Sequence, residues 1–70
     1  MKEITSSMAG TVLQVLVSNG DEVTEGQVVV MLESMKMEIP IESQINGKVS
    51  DVKVEVGSFV NEDETLLVLE

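Results

Sequence analysis

The sequence predicts an all-β fold of about eight short strands in two symmetric sets. Three observations carry this. Val, Ile and Thr make up 21 of the 70 residues, and these branched side chains lose rotamer freedom in helices but pack well on pleats. No stretch shows a sustained helical period with a cap. The chain also repeats itself. Shifted by 37 positions, residues 1–33 fall on residues 38–70 without a gap and with 11 identities. Such a duplication predicts two similar half-folds about an approximate two-fold axis.

The identities fix the elements in order. Ile4 meets Ile41, Ser6 meets Ser43, Gly10 meets Gly47, and Val12 meets Val49. Val15, Val17, Gly20 and Val23 meet Val52, Val54, Gly57 and Val60, and Glu25, Leu32 and Glu33 meet Glu62, Leu69 and Glu70. Val12 and Val15 are an odd number of residues apart, as are Val49 and Val52, so a bulge or sharp coil is expected in both copies. Gly10, Gly20, Gly47 and Gly57 mark places of positive φ or close backbone approach. Asn19-Gly20 and Asn46-Gly47 are turn signals. Val28–Leu32 and Leu66–Leu69 are short apolar runs that read as buried strands. The alternation in Val52-Lys53-Val54-Glu55-Val56 reads as a half-buried strand. Pro40 and its counterpart Glu3 belong on edge-like segments, where a missing N–H is tolerated. Phe59, the only aromatic residue, is expected to fill the core between the sheets.

Composition narrows the function. Thirteen acidic residues against four lysines give a formal charge of −9, which repels phosphate backbones and anionic membranes. One aromatic residue cannot build a stacking platform for single-stranded nucleic acid. No histidine and no cysteine are present, which removes the commonest general base and the usual nitrogen and sulfur ligands of zinc. The acidic residues Asp21, Glu22, Glu25 and Glu62-Asp63-Glu64 lack the alternating spacing of a calcium loop, so no metal site is read here. No apolar run reaches the ~18–20 residues of a membrane span, and no basic-then-apolar leader opens the sequence. A soluble, cytoplasmic, non-catalytic domain over residues 1–70 is the expectation.

Only Ser34-Met35-Lys36-Met37 falls outside both copies. The strand ending at Glu33 should turn there and return from Met37, with Lys36 at the hairpin tip. Tips attract polar residues, and a lone lysine there often means only solubility. Two methionines are an odd choice for an exposed turn. They suit adaptable contact surfaces, so the tip is a candidate for something that other proteins grip or modify. Lys2, Lys48 and Lys53 read as ordinary solvent-facing residues.

The stretch Glu33-Ser34-Met35-Lys36-Met37-Glu38 resembles the attachment motif of biotinyl domains, the carriers of biotin-dependent carboxylases. Gly10 with Val12, Gly20-Asp21-Glu22-Val23 and Gly26-Gln27 are similar to that family's first half. Gly47-Lys48-Val49 and Gly57-Ser58-Phe59-Val60 are similar to its second half. The likeness covers essentially the whole chain and is strongest to short biotin/lipoyl attachment proteins. It departs at Ser34, where alanine is common, and at Ser7-Met8-Ala9, where proline often stands.

The resemblance implies a flattened barrel of two four-stranded antiparallel sheets with an internal pseudo-two-fold axis. It implies that biotin protein ligase attaches biotin covalently to Lys36. Met35, Met37, Glu33, Ser34 and Glu38 would be read by the ligase and later partners. Biotin carboxylase and carboxyltransferase subunits are the implied partners, between whose sites the modified lysine carries a carboxyl group. The alternative cofactor is lipoate, in a carrier of a 2-oxo-acid dehydrogenase or glycine-cleavage system. Lipoyl domains usually show Asp-Lys-Ala where this chain has Met-Lys-Met. Two other classes stand beside these: an unmodified adaptor built on the same barrel, and an acyl carrier protein. The latter is echoed only by Glu33-Ser34-Met35, and the valine-rich pattern opposes its helices.

Overall fold

The structure, a computed structural model, describes residues 2–70. Met1, the first residue of the first copy, lies outside the described residues. Eight strands are present among them: β1 (Lys2–Thr5), β2 (Gly10–Val15), β3 (Glu22–Val23), β4 (Val28–Ser34), β5 (Met37–Glu42), β6 (Gly47–Val52), β7 (Phe59–Val60) and β8 (Thr65–Leu69). They form two four-stranded antiparallel sheets, ordered β1-β8-β6-β3 and β5-β4-β2-β7. We call these the terminal sheet and the tip sheet. The repeat carries β1, β2, β3 and β4 onto β5, β6, β7 and β8, and so carries one sheet onto the other. Each sheet takes two strands from each half, so neither half can complete a sheet alone.

The packing follows the duplication. Val12, Val23 and Leu32 are buried together with their counterparts Val49, Val60 and Leu69, and Val30 with Leu67. Each such burial removes a branched apolar side chain from water, worth roughly 1.5–3 kcal/mol before entropy is counted. Ser6 and Ser43 are the buried polar pair. Each hydroxyl donates to the carbonyl two residues on, Met8 or Ile45, and accepts that residue's N–H. Both groups are therefore satisfied without water. The connections between sheets repeat as well. The Gly20 N–H donates to the Val49 carbonyl at 2.8 Å, and the Gly57 N–H donates to the Val12 carbonyl at the same distance.

The expected irregularities occur in both copies. Pairing slips between Val12 and Gln14 on β2, and between Val49 and Asp51 on β6. Gly20 and Gly57 take φ of 91° and 94°, where only glycine is unstrained. Gly10 and Gly47 are sites of close approach instead (below). Glu3 and Pro40 lie on the edge strands β1 and β5, as the proline required.

Three expectations are corrected. Phe59 does not fill the core: it sits on β7 facing outward, 63% exposed. Its neighbour Val60 takes the inward place, as period-2 alternation dictates. The alternation over residues 52–56 is not a strand. β6 ends at Val52, and the chain then crosses from one sheet to the other with only Val54 buried and Val56 on a turn. Crossing segments also alternate when one residue must plug the corner. Asn46-Gly47 is not the turn either: the chain bends at residues 44–45, and Gly47 already opens β6.

Candidate functional site

Strands β4 and β5 form the longest hairpin. Leu32 faces Ile39, Glu33 faces Glu38, and Ser34 faces Met37. Met35 and Lys36 are the two residues of the turn, with φ of 54° and 64°. Two successive residues at positive φ are the mark of a type I′ hairpin turn, which matches strand twist and is normally built from Asn-Gly or Gly-Gly. Methionine and lysine are poor occupants, since left-handed backbone costs an L-residue roughly 1–2 kcal/mol.

The tip carries further features that the fold does not ask for. Glu33 and Glu38 are directly opposite and both exposed, and like charges across a ladder destabilise it. Met35 is 90% exposed and Met37 63% exposed. Lys36 is exposed, and its amine makes no ion pair among the described residues. Strain, like charge and exposed apolar surface thus gather on six consecutive residues. Locally unfavourable choices of this kind concentrate at functional positions.

All six sequence-derived candidates, Glu33, Ser34, Met35, Lys36, Met37 and Glu38, therefore lie together on one hairpin. Lys36 projects from its apex, Glu33 and Glu38 share one side of the ladder, and Ser34 and Met37 share the other. Gly10 supports the hairpin from below. A Cβ there would stand 2.8 Å from the Glu33 carbonyl oxygen, so only glycine lets β2 lie this close to the strand that leads into the turn.

The lysine stands exposed at the apex. A groove of about 440 Å³ runs between the edge strands β1 and β5, lined by Ile4, Ser6, Pro40, Ile41, Ile45 and Asp63, and includes none of residues 33–38. Among the described residues no group of three His, Cys, Asp or Glu side chains could hold a metal ion. What the tip offers is one accessible amine on a rigid support, in a form that another protein's active site can enclose. No helix is long and apolar enough to cross a membrane among those residues.

Reading residues one by one missed Phe59 as a surface residue of this region. It sits across Thr11 from Glu33, in the same row of the tip sheet. The repeat held the signal, because its counterpart is Glu22, and an acidic residue marks an outward position.

Comparison with known proteins places the chain in a family. Residues 2–69 match the biotin/lipoyl family model, described as biotin-requiring enzyme. The chain is 48% identical over 66 residues to a biotin/lipoyl attachment protein of Bacillus subtilis, covering 94% of this chain and 90% of that one. It is 40% identical over 68 residues to a protein of Mycobacterium leprae named biotinylated protein TB7.3 homolog, covering 97% of this chain and 96% of that one. Among solved structures, the urea carboxylase of Kluyveromyces lactis superposes with a TM-score of 0.89 at 25% identity. That match covers 99% of this chain but only 6% of the carboxylase. The chain belongs to the biotin/lipoyl family.

Proposed function

We propose that the protein is a biotin carrier, one domain over residues 1–70, in which Lys36 is the residue that a biotin protein ligase modifies. The observation that supports this best is the two-residue turn. Its occupants are strained where Asn-Gly would be easy, and one of them is an exposed, unpaired amine. The Mycobacterium leprae relative is named a biotinylated protein, which favours biotin over lipoate, while the name of the Bacillus subtilis relative covers both groups.

The residues fit the group. The Lys36 Nζ attacks the acyl carbon of biotinyl-adenylate, an amide bond forms, the acyl–phosphate bond breaks, and AMP leaves as the amine gives up its proton. An amine attacks only in its neutral form. The chain has no histidine to act as base, so proton removal falls to the ligase. Amide formation makes the formal charge of −9 one unit more negative. When bound, biotin supplies a ureido ring that accepts and releases a carboxyl group.

The chain's own contribution is mechanical. The type I′ turn fixes the root of the arm and leaves the side chain free to swing. A group held at Lys36 would reach biotin carboxylase and carboxyltransferase sites at an effective concentration set by the arm and not by diffusion. Met35 and Met37 give those partners flexible apolar contacts beside the root. Glu33, Ser34 and Glu38 complete the surface the ligase and later partners read. The protein itself catalyses nothing on this reading and works in the cytoplasm.

Intact mass after incubation with ATP and each ligase tests the reading. Biotin ligase with biotin should add about 226 Da, and lipoate would add about 188 Da, the masses of the two acyl groups. Lys36→Arg should take up neither group. If neither ligase adds mass to the wild-type chain, or if Lys36→Arg is labelled equally, the carrier reading fails.

A further inference from the structure

The duplication gives two sheets with one backbone plan, so their outer faces can be compared position by position. On the tip sheet, the row nearest the turn runs Glu38, Glu33, Thr11 and Phe59 across β5, β4, β2 and β7. The next outward row holds Pro40 and Met31, with Leu13 and Gln14 together at the bulge of β2. On the terminal sheet the same places hold different residues. Glu22 stands for Phe59, Lys48 for Thr11, Ser50 for Leu13, Asp51 for Gln14 and Glu3 for Pro40. The pairings Glu22–Lys48, Asp51–Val68 and Glu3–Val68 confirm the correspondence.

The terminal sheet therefore shows water a charged face, and the fold tolerates it. Nothing in the barrel requires the tip sheet to show Phe59 and Leu13 instead; Met31, beside them, has an apolar counterpart in Val68. Phe59 is the molecule's only aromatic ring and is 63% exposed. Rings that stay wet in the free protein are typical anchors of protein interfaces.

The patch is continuous with the tip. Phe59 shares a row with Glu33 and Glu38, which lie two residues from the turn. With strands ~4.8 Å apart and ~3.4 Å of rise per residue, the ring's Cα is within about 15 Å of Lys36. The chemistry at Lys36 selects the occupant. A ligase must hold its activated acyl carbon about 3–3.5 Å from Nζ, so its body has to lie against the hairpin and the sheet behind it. A partner that receives the finished arm reacts at its far end and needs the domain only at the six hairpin residues around the root, not on the sheet behind them.

We propose that the outer face of the tip sheet, centred on Phe59 with Leu13 and Met31, is the surface on which biotin ligase docks while it acylates Lys36. This rests on the attachment reading above. The complementary surface has an apolar centre to receive Phe59 and Lys or Arg side chains facing Glu33 and Glu38. The charged face of the terminal sheet stays outside the contact.

Steady-state biotinylation of the full chain by biotin ligase, with ATP and biotin, tests the proposal. Phe59→Glu should raise KM for the carrier by about tenfold with kcat within about twofold, the pattern of lost docking. Leu13→Ser, which installs the counterpart residue, should raise KM by about threefold, and the mirror change Glu22→Gln should leave both constants alone. Phe59→Ser with an unchanged thermal transition guards against a folding defect. A KM for both Phe59 variants within about twofold of wild type would sink the proposal. So would sedimentation that shows wild type dimeric and Phe59→Glu monomeric with equal labelling, because the face would then pair two copies. If the wild-type chain itself gains no mass, the attachment reading has failed first.

Discussion

The two halves of the chain set two sequences on one backbone plan. β2 and β6 span Gly10–Val15 and Gly47–Val52, and β3 and β7 span Glu22–Val23 and Phe59–Val60, each pair offset by the repeat. Six of the eleven identical pairs are buried in both copies: Ile4/Ile41, Ser6/Ser43, Val12/Val49, Val17/Val54, Val23/Val60 and Leu32/Leu69. Where the halves differ, the residues mostly face water. One such difference, Phe59 against Glu22, lies on the tip sheet, which also carries the Met35–Lys36 turn that has no counterpart. Others adjust the local backbone or surface charge. Buried identity records what the barrel needs, and exposed difference records what the second half and the joint were free to become.

The largest effect expected from breaking this symmetry is at the close-approach glycines. A Cβ on Gly10 would meet the Glu33 carbonyl oxygen at 2.8 Å. That oxygen is backbone, so β4 must move to make room. A Cβ on Gly47 would press on the Leu69 side chain, at 3.1 Å from its Cβ and Cδ1, and stand at ordinary contact distance, 3.4 Å, from the Glu70 carbonyl oxygen. Gly10→Ala should therefore destabilise by about 2–3 kcal/mol and Gly47→Ala by about 1 kcal/mol, as overpacking costs go. Urea unfolding of the two variants measures the gap. Equal losses would mean that the tip hairpin is held no more tightly than the chain ends.

A smaller effect separates Gly26 from its counterpart Asp63. Both sit in turns at positive φ, 89° and 69°. Their N–H groups donate to the Ser43 and Ser6 carbonyls at the same 2.8 Å. Gly26→Ala has open space for its methyl, so its cost is conformational, about 1 kcal/mol. Asp63→Gly relieves a left-handed residue but frees the unfolded chain, so the two terms should cancel to within about 0.5 kcal/mol. Thermal melts would sharpen the comparison. A loss at Asp63→Gly as large as that at Gly26→Ala would show that the aspartate side chain has work of its own.

Much of this was legible because the signals reinforce one another. The repeat predicted two matching half-folds, both bulges and the unmatched residues at the tip hairpin, and the missing N–H of Pro40 predicted its edge position. That each sheet would mix strands of both halves was not foreseen. Lys36 was legible because four residues had no counterpart, and its methionines were wrong for a plain turn. Phe59 was misread because hydrophobicity was weighed without parity: one residue of register separates it from the buried Val60. The stretch over residues 52–56 was misread because a segment crossing between sheets can alternate as a strand does. Asp63 hid its left-handed backbone because aspartate tolerates that conformation better than most residues. In the last case the counterpart Gly26 was already in the sequence and would have shown it.

The smallest expected effect concerns a feature of the second half alone. Lys53 and Asp51 form the only ion pair among the described residues, at 2.7 Å, and their counterparts Leu16 and Gln14 cannot form one. The Lys53 ammonium, by hydrogen bond and then by charge, holds the Asp51 carboxyl below the ordinary carboxylate value. The carboxylate in turn raises the Lys53 amine. A carboxyl whose pKa is lowered in the folded state stabilises it above its unfolded pKa, and that stabilisation is lost as pH falls through the folded value. The raised amine works in the other direction: its stabilisation is present below the unfolded lysine value and is lost as pH rises through the folded one. Melting temperatures of wild type and Asp51→Asn should thus differ by a small, constant amount near neutrality. They should converge in acid below the ordinary carboxylate range and converge again at high pH. Because the pair is open to solvent, 1 M salt should remove most of the difference. Gln14→Ala in the first half should show no such pH dependence. If it does, the effect belongs to the overall negative charge of the domain and not to the pair.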